Sequence, residues 1–289
     1  MSVTTEDRAA GDVKITILVD NRAGGGELAA EHGLSLWIET GGRKTLFDTG
    51  QGEALEHNAR VLGVDLAATD ALVLSHGHYD HTGGIPSVLR RTRNIEVYCH
   101  PGIVLPRYGV GDGTARPIHM PREAMEALDR FPLERLHWVQ QPVMLAEGIG
   151  VTGPIPRETD FEEGHEPFYL DARGNRKDAM EDDLALWIRN GDGLIVCVGC
   201  AHAGLINTLN HVRRLNGGLG VRAVIGGFHL LGAGRERLNR TAEALRLLEP
   251  EKLIPCHCTG DPAVDFFRKA LGDRVSPGAA GRTFSFRAA

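Results

Sequence analysis

At 289 residues, the chain is long enough for one large domain or two small ones, and its 42% apolar content is ordinary for a globular protein. No apolar run approaches the ~20 residues of a membrane span, and a formal net charge of -6 argues against a nucleic-acid backbone as the main partner. That charge still admits an anionic small substrate, because a metal site supplies local positive charge.

Five cysteines (Cys99, Cys197, Cys200, Cys256 and Cys258) make an odd count. The stretch Met1–Asp12 is acidic and polar, not basic-then-apolar. The expectation is a cytoplasmic protein without a disulfide framework. Cys197, in an apolar strand pattern, reads as a buried thiol.

In chain order, Val13–Asp20, Leu34–Thr40 and Lys44–Asp48 read as strands rich in Val, Ile and Leu, separated by Gly-containing turns. Glu53–Leu62 predicts a helix that stops near Gly63. Ala71–Leu74 is a short apolar strand, Ile85–Arg91 a helix and Ile95–Cys99 a strand. From His100 to Phe168 Pro and Gly recur, with helical character only around Arg122–Arg130 and a strand pair expected at Leu136–Gln140 and Val143–Glu147. An irregular insertion at about 100–180 reads as a functional loop over a site. Leu184–Arg189 and Leu194–Val198 read as strands joined by a turn at residues 190–193. Leu205, Leu209, Val212 and Leu215 mark an amphipathic helix, as do Leu238, Ala242, Leu245 and Leu248. Val221–Ile225 and Leu253–Pro255 are further strands. The sum is a mixed α/β single domain over 1–289, two similar halves with helices packed on sheets.

Four groups of histidines lie just past apolar strands: His76, His78, Asp80 and His81 after Ala71–Leu74; His202 after Leu194–Val198; His229 after Val221–Ile225; His257 after Leu253–Pro255. Strand ends on one sheet edge are where ligands collect in open α/β sheets. Imidazoles and carboxylates are ligands that zinc takes at neutral pH. His76 and His78, two apart on extended chain, point to one side; Asp80 and His81 follow a turn and can face a second ion. Gly77, Gly83 and Gly84 let the backbone turn there.

The run His76-Gly77-His78-Tyr79-Asp80-His81 resembles the signature of the metallo-β-lactamase-fold superfamily, and Leu46-Phe47-Asp48-Thr49-Gly50 resembles its first motif. Further motifs extend the resemblance through nearly the whole chain: Asp20-Asn21, Glu31-His32-Gly33-Leu34, Gly153-Pro154-Ile155-Pro156-Arg157, Gly199-Cys200-Ala201-His202, Gly226-Gly227-Phe228-His229 and Pro255-Cys256-His257-Cys258. Together they resemble the branch labelled 7,8-dihydropterin-6-methyl-4-(β-D-ribofuranosyl)aminobenzene-5′-phosphate synthase-like. The resemblance implies an αββα sandwich of two sheets with helices outside. It implies His76, His78 and His202 at a first metal, and Asp80, His81 and His257 at a second. Asp48 would then support the site by orienting a ligand histidine. Many members carry Gly-Asp, a metal-bridging carboxylate, where this chain has Gly199-Cys200; Asp182, Asp183 and Cys200 are the candidates to replace it.

These residues predict a hydrolase using a metal-bound hydroxide, and the resemblance implies a small phosphorylated or pterin-related substrate. Zn2+ is the expected metal, one or two ions, with Mn2+ or Fe as alternatives. Asp80 and His229 are the candidate catalytic residues, His229 as acid, hydrogen-bond donor or ligand. Competing readings are a pterin-pathway synthase, a di-iron oxidoreductase (disfavoured because such relatives carry Glu where this chain has His78) and a ligand-binding or sensor protein with little turnover. Arg157 is weighed as a phosphate donor against a solvated loop arginine. Glu162 shares its irregular stretch. His100 and His165 are candidates for the pocket rim; His32, His57, His119, His137 and His211 read as surface or structural. No nucleic acid or membrane partner is expected, and self-association stays open.

Overall fold

The computed structural model describes residues 9–162 and 166–288; His165 lies outside them. Chain order gives β1 (Val13–Val19), β2 (Ser35–Thr40), β3 (Arg43–Phe47), α1 (Glu53–Val61), β4 (Ala71–Val73), a short turn of helix α2 (Tyr79–Thr82), α3 (Ile85–Arg91) and β5 (Glu96–Cys99). A hairpin β6 (Tyr108–Gly111) and β7 (Thr114–Pro117) follows, then α4 (Arg122–Asp129), β8 (Leu136–Trp138), β9 (Val143–Ala146), β10 (Ile149–Val151) and β11 (Phe168–Tyr169). The last part holds β12 (Ala185–Asn190), β13 (Gly193–Val198), α5 (Leu205–Leu215), β14 (Gly220–Gly227), α6 (Arg235–Leu248), β15 (Lys252–Cys256), α7 (Asp261–Leu271) and β16 (Thr283–Phe286).

Two large sheets carry these strands, one in the order β16-β1-β2-β3-β4-β5-β8 and one in the order β15-β14-β13-β12-β10-β9. Side-chain alternation explains how they stack. Along β13, Ile195 and Cys197 join a buried cluster that also holds Ile15, Ile17, Ile38 and Phe47 of the facing sheet. Leu194, Val196 and Val198 point the other way, onto Leu205, Leu209 and Val212 of α5 and Leu238 and Leu245 of α6. The first sheet does the same, with Leu46 and Leu72 packed on Leu55 of α1, Val88 of α3 and Leu128 of α4. The layers are therefore helix, sheet, sheet, helix. A strand buried on both faces reads as a continuous apolar run rather than an alternating one, which is how Leu194–Val198 looks in sequence.

The stretch read as irregular departs from expectation. Leu136–Trp138 and Val143–Ala146 do not pair with each other: β8 runs parallel to β5 at the edge of the first sheet, and β9 pairs with β10 at the edge of the second. Strands of three or four residues broken by Pro142 and Gly148 are too short for periodicity to register. The hairpin β6–β7 pairs with β11 in a third, small sheet, and β11 brings Phe168 over the histidines. The helix α7 and the strand β16 were not among the predicted elements.

Within both large sheets, the parallel pairings put strand ends together. β3, β4, β5 and β8 run parallel in one sheet, and β13, β14 and β15 in the other. Asp48 follows β3 directly and Ser75 and His76 follow β4; Cys200 and His202 follow β13, His229 follows β14 and His257 follows β15. No helix among the described residues is long and apolar enough to cross a membrane.

Candidate metal centre

Six side chains converge where the two sheets present these ends. His76 Nε2 lies 3.0 Å from His78 Nδ1 and 3.2 Å from His202 Nε2. Beside them, His257 Nε2 lies 3.4 Å from His81 Nε2 and 3.2 Å from Asp80 Oδ2, and His81 Nε2 lies 3.9 Å from the same oxygen. All six residues are buried. Cys200 joins the two sets: its sulfur is 3.2 Å from His81 Nε2 and falls in one donor group with His76 and His202 and in another with His81 and His257. Asp182 and Asp183 do not reach this position. Asp182 accepts from Gly77 N–H and from Arg107, and Asp183 accepts from Ala203 N–H.

The donor atoms fit a cation. Burial first, then mutual repulsion, pushes the pKa of His76 and His202 well below the ordinary value; burial does the same at His78 despite Asp80. These three rings are neutral at pH 7 and turn nitrogens toward one another. Among the described residues, His78 Nε2 and His202 Nδ1 are buried without a hydrogen-bond partner. At His81, burial alone would lower the pKa, but the charges of Asp48 and Asp80 override it and raise it to about 9. Asp80 is held well below the carboxylate range because His81, His257 and His32 outweigh its burial.

A surrounding layer sets which nitrogen faces inward. Asp48 Oδ2 takes a 2.7 Å bond from His81 Nδ1 and a 2.7 Å bond from the Ser75 hydroxyl, which in turn lies 2.8 Å from His76 Nδ1. Asp48 Oδ1 accepts from Ser75 N–H at 2.7 Å. One buried carboxylate thus fixes a ring in each donor set, leaving both Nε2 atoms inward. His257 is fixed independently: its Nδ1 lies 2.8 Å from Asn21 Oδ1, and its N–H donates to Asp20 at 2.7 Å. Asp48, Ala201, His229 and His257 all hold φ between 47° and 61°. A non-glycine residue in that region costs about 1–3 kcal/mol, and such strain clusters at working sites.

Several candidates serve elsewhere. Arg157 donates to the carbonyls of His202 and Ala179, both at 2.7 Å, so it pins the backbone of a donor residue. Glu162 accepts from Ile206 and Asn207 N–H at the start of α5. His100 accepts from Gly102 N–H and closes a turn. His229 does face the bay: its ring lies 4.4 Å from that of His202, and its Nε2 is 3.3 Å from Glu166. Cys258 stands with Cys200 and His229 in a further group of possible donors. These two neighbours hold its thiol well below the usual range against burial.

Other contributors escape the sequence reading. His32, read there as surface or structural, is 3.1 Å from Asp80 Oδ2 and stacks 4.8 Å from His257. The hydrogen bond to Asp80 raises its pKa. Asn21 and Glu166 carried no signal beyond their place in a motif or loop. Gly33, next to His32, holds φ 149°, and a Cβ there would collide with the Asp80 carbonyl. Glu31 accepts from four N–H groups, Gln51 through Ala54, at the start of α1.

This geometry has known counterparts. The sequence profile of the Metallo-beta-lactamase superfamily matches residues 29–257, and the chain belongs to that superfamily. It is 30% identical, over 95% of its own length and 97% of the relative's, to the 7,8-dihydropterin-6-methyl-4-(beta-D-ribofuranosyl)-aminobenzene-5'-phosphate synthase of Methanocaldococcus jannaschii. It is 34% identical, over 86% of its own length and 92% of the relative's, to an uncharacterized protein, MJ0448, of the same organism. The solved structure of Tm1679, described as a metal-dependent hydrolase of the beta-lactamase superfamily, superposes with a TM-score of 0.78 at 27% identity, covering 94% of this chain and 98% of that one.

Proposed function

We propose that the protein is a metal-dependent hydrolase acting on a small anionic substrate, with zinc as its metal. The observation that carries this reading is the pair of donor sets, three histidines on one side and Asp80, His81 and His257 on the other, with Cys200 between them. His76, His78 and His202 would hold one ion, and Asp80, His81 and His257 the second. Cys200 stands where many relatives carry the bridging carboxylate. When bound, such ions supply Lewis acidity and lower the pKa of water. The chain's own residues do the rest. Asp48 and Ser75 orient two rings, Asn21 orients a third, and Phe168 shields the bay from solvent. His229, its charge favoured against burial first by Cys258 and then by Glu166, faces the same space and is placed to give a proton to a leaving group.

His78→Ala should lose bound zinc and turnover of bis(para-nitrophenyl) phosphate together, read by elemental analysis and release of nitrophenolate. Full turnover in a metal-free His78→Ala protein would sink the proposal. A second reading, a pterin-pathway synthase, is supported by the name of the 30%-identical relative. Condensation without any hydrolytic turnover by the zinc-loaded protein would favour it. Stoichiometric redox-active iron in the isolated protein would instead revive the oxidoreductase reading.

A further inference from the structure

A groove of about 750 Å3 opens beside the donor sets, between the β11 region and the start of α6. We infer that it seats the oxyanion-bearing end of an aromatic or similarly flat small molecule, and that Arg237 is the cation that selects it. The volume lies within the ~300–1,000 Å3 typical of small-molecule sites. His229 and Phe168 line the groove, and both also abut His202, with rings 4.4 and 5.7 Å from it. A molecule lying in the groove therefore comes within one ring, His229 or Phe168, of the donor His202. Phe161 and Phe168 give it apolar walls.

The charges lining the groove single out Arg237. Asp160 is neutralised by Arg240 through contacts of 2.7 and 3.1 Å, and Arg240 lies 4.5 Å over the Phe161 ring. Glu166 is engaged by His229. Glu236 is exposed. Arg237 is half-buried, and its Nε–H is shut off from solvent with no hydrogen-bond partner among the described residues. Its charge is felt at both His229 and Glu162. A buried donor left unpaired costs about 1–3 kcal/mol. A phosphate or carboxylate in the groove would meet the rest of the guanidinium, which lines it and whose planar fork suits two parallel bonds. The open stretch Gly232–Gly234, where a Cβ at either glycine would meet nothing, leaves room for that group beside Arg237.

The inference rests on the hydrolase reading only in making the groove the approach to the bay; the contact with Arg237 needs no metal. Fluorine NMR titrations of the full chain, zinc-free and zinc-loaded, test it with para-fluorophenyl phosphate, para-fluorobenzoate and neutral para-fluorobenzyl alcohol. The zinc-free protein should bind the anions about tenfold or more tightly than the alcohol, the scale of one charge-assisted hydrogen bond. Arg237→Gln should abolish that preference, and Arg237→Lys should keep part of it. Arg130→Gln, at the far end of α4, should leave it unchanged. Anion binding that survives in a correctly folded Arg237→Gln protein overturns the inference. So does anion binding seen only with zinc present, which would put the anion on the metal. Arg237-dependent binding in a protein with no hydrolytic turnover would leave this inference standing and remove the hydrolase reading alone.

Discussion

At the scale of single residues, one sulfur would decide what kind of metal pair this bay could hold. Cys200 occupies a position shared by both donor sets, 3.2 Å from His81 Nε2, with Cys258 and His229 behind it. Burial, with Cys258 beside it, pushes the free Cys200 thiol up, so in the metal-free protein it stays protonated. A bound cation would take it as thiolate, a softer donor than the carboxylate of many relatives. Cobalt-loaded protein should show sulfur-to-cobalt charge-transfer absorption that Cys200→Ser removes, with retention falling toward one ion per chain. Cys200→Asp should keep two ions without that absorption. Unchanged absorption in Cys200→Ser would mean that the sulfur is not a ligand and that Cys258 or another thiol carries the signal.

At the scale of elements, the bay exists because two strand ends from different sheets come within contact. Ser75, after β4, and Gly199, after β13, face each other so closely that a Cβ on Gly199 would run into the Ser75 side chain and crowd Asp48 Oδ2 at 3.1 Å. Gly199→Ala should therefore displace the Asp48–Ser75 pair that fixes His76 and His81. Overpacking costs about 1–3 kcal/mol, and loss of such orienting bonds costs ~10–100-fold in metal affinity. The expected outcome is a lower melting midpoint together with weaker zinc binding in competition with a chelator; a variant with wild-type affinity would show that the pair is not needed. The sequence carries the strand half of this arrangement well. Apolar runs ending in histidine mark β4, β13, β14 and β15, and the amphipathic repeats mark α5 and α6. What it hides is contact between distant segments. Nothing near His32 in the chain announces Asp80, because the approach is made by the turn after β1 against α2. Nor does the sequence show that Arg157 ties down the carbonyls of Ala179 and His202, 22 and 45 residues away. A strand as short as β10, three residues between β9 and β12, falls below the length at which a period can be read.

At the scale of the whole molecule, the buried titratable groups make stability depend on pH in a way that zinc should reverse. In the metal-free protein His76, His78 and His202 have pKa values far below the ~6.5 they take when unfolded. Below about pH 6.5 the unfolded chain binds protons that the native state refuses, so stability falls as pH drops. His81 has the opposite sign. Its pKa is raised to about 9, so its contribution is complete below about pH 6.5 and is lost as pH rises through 9. Asp183, raised by burial to about 7, likewise contributes stability that is present at low pH and lost as pH rises through 7. Asp20, Glu162 and Asp182 are raised by burial in the same direction as Asp183, so on the acid side these carboxyls and the three depressed histidines oppose one another. Above about pH 6.5 the histidine contribution is complete, and stability of the metal-free protein should decline toward pH ~9. Asp48→Asn should flatten the alkaline decline, since Asp48 supplies the largest of the forces that hold His81 protonated. Zinc binding requires His81 and the Cys200 thiol each to release a proton, so the loaded protein should gain stability with rising pH over the same range and release close to two protons per chain. Melting midpoints across this pH range, with chelator and with zinc, measure both limbs; a metal-free midpoint higher near pH ~9 than near ~6.5 would contradict the charge balance assigned to His81 and Asp48.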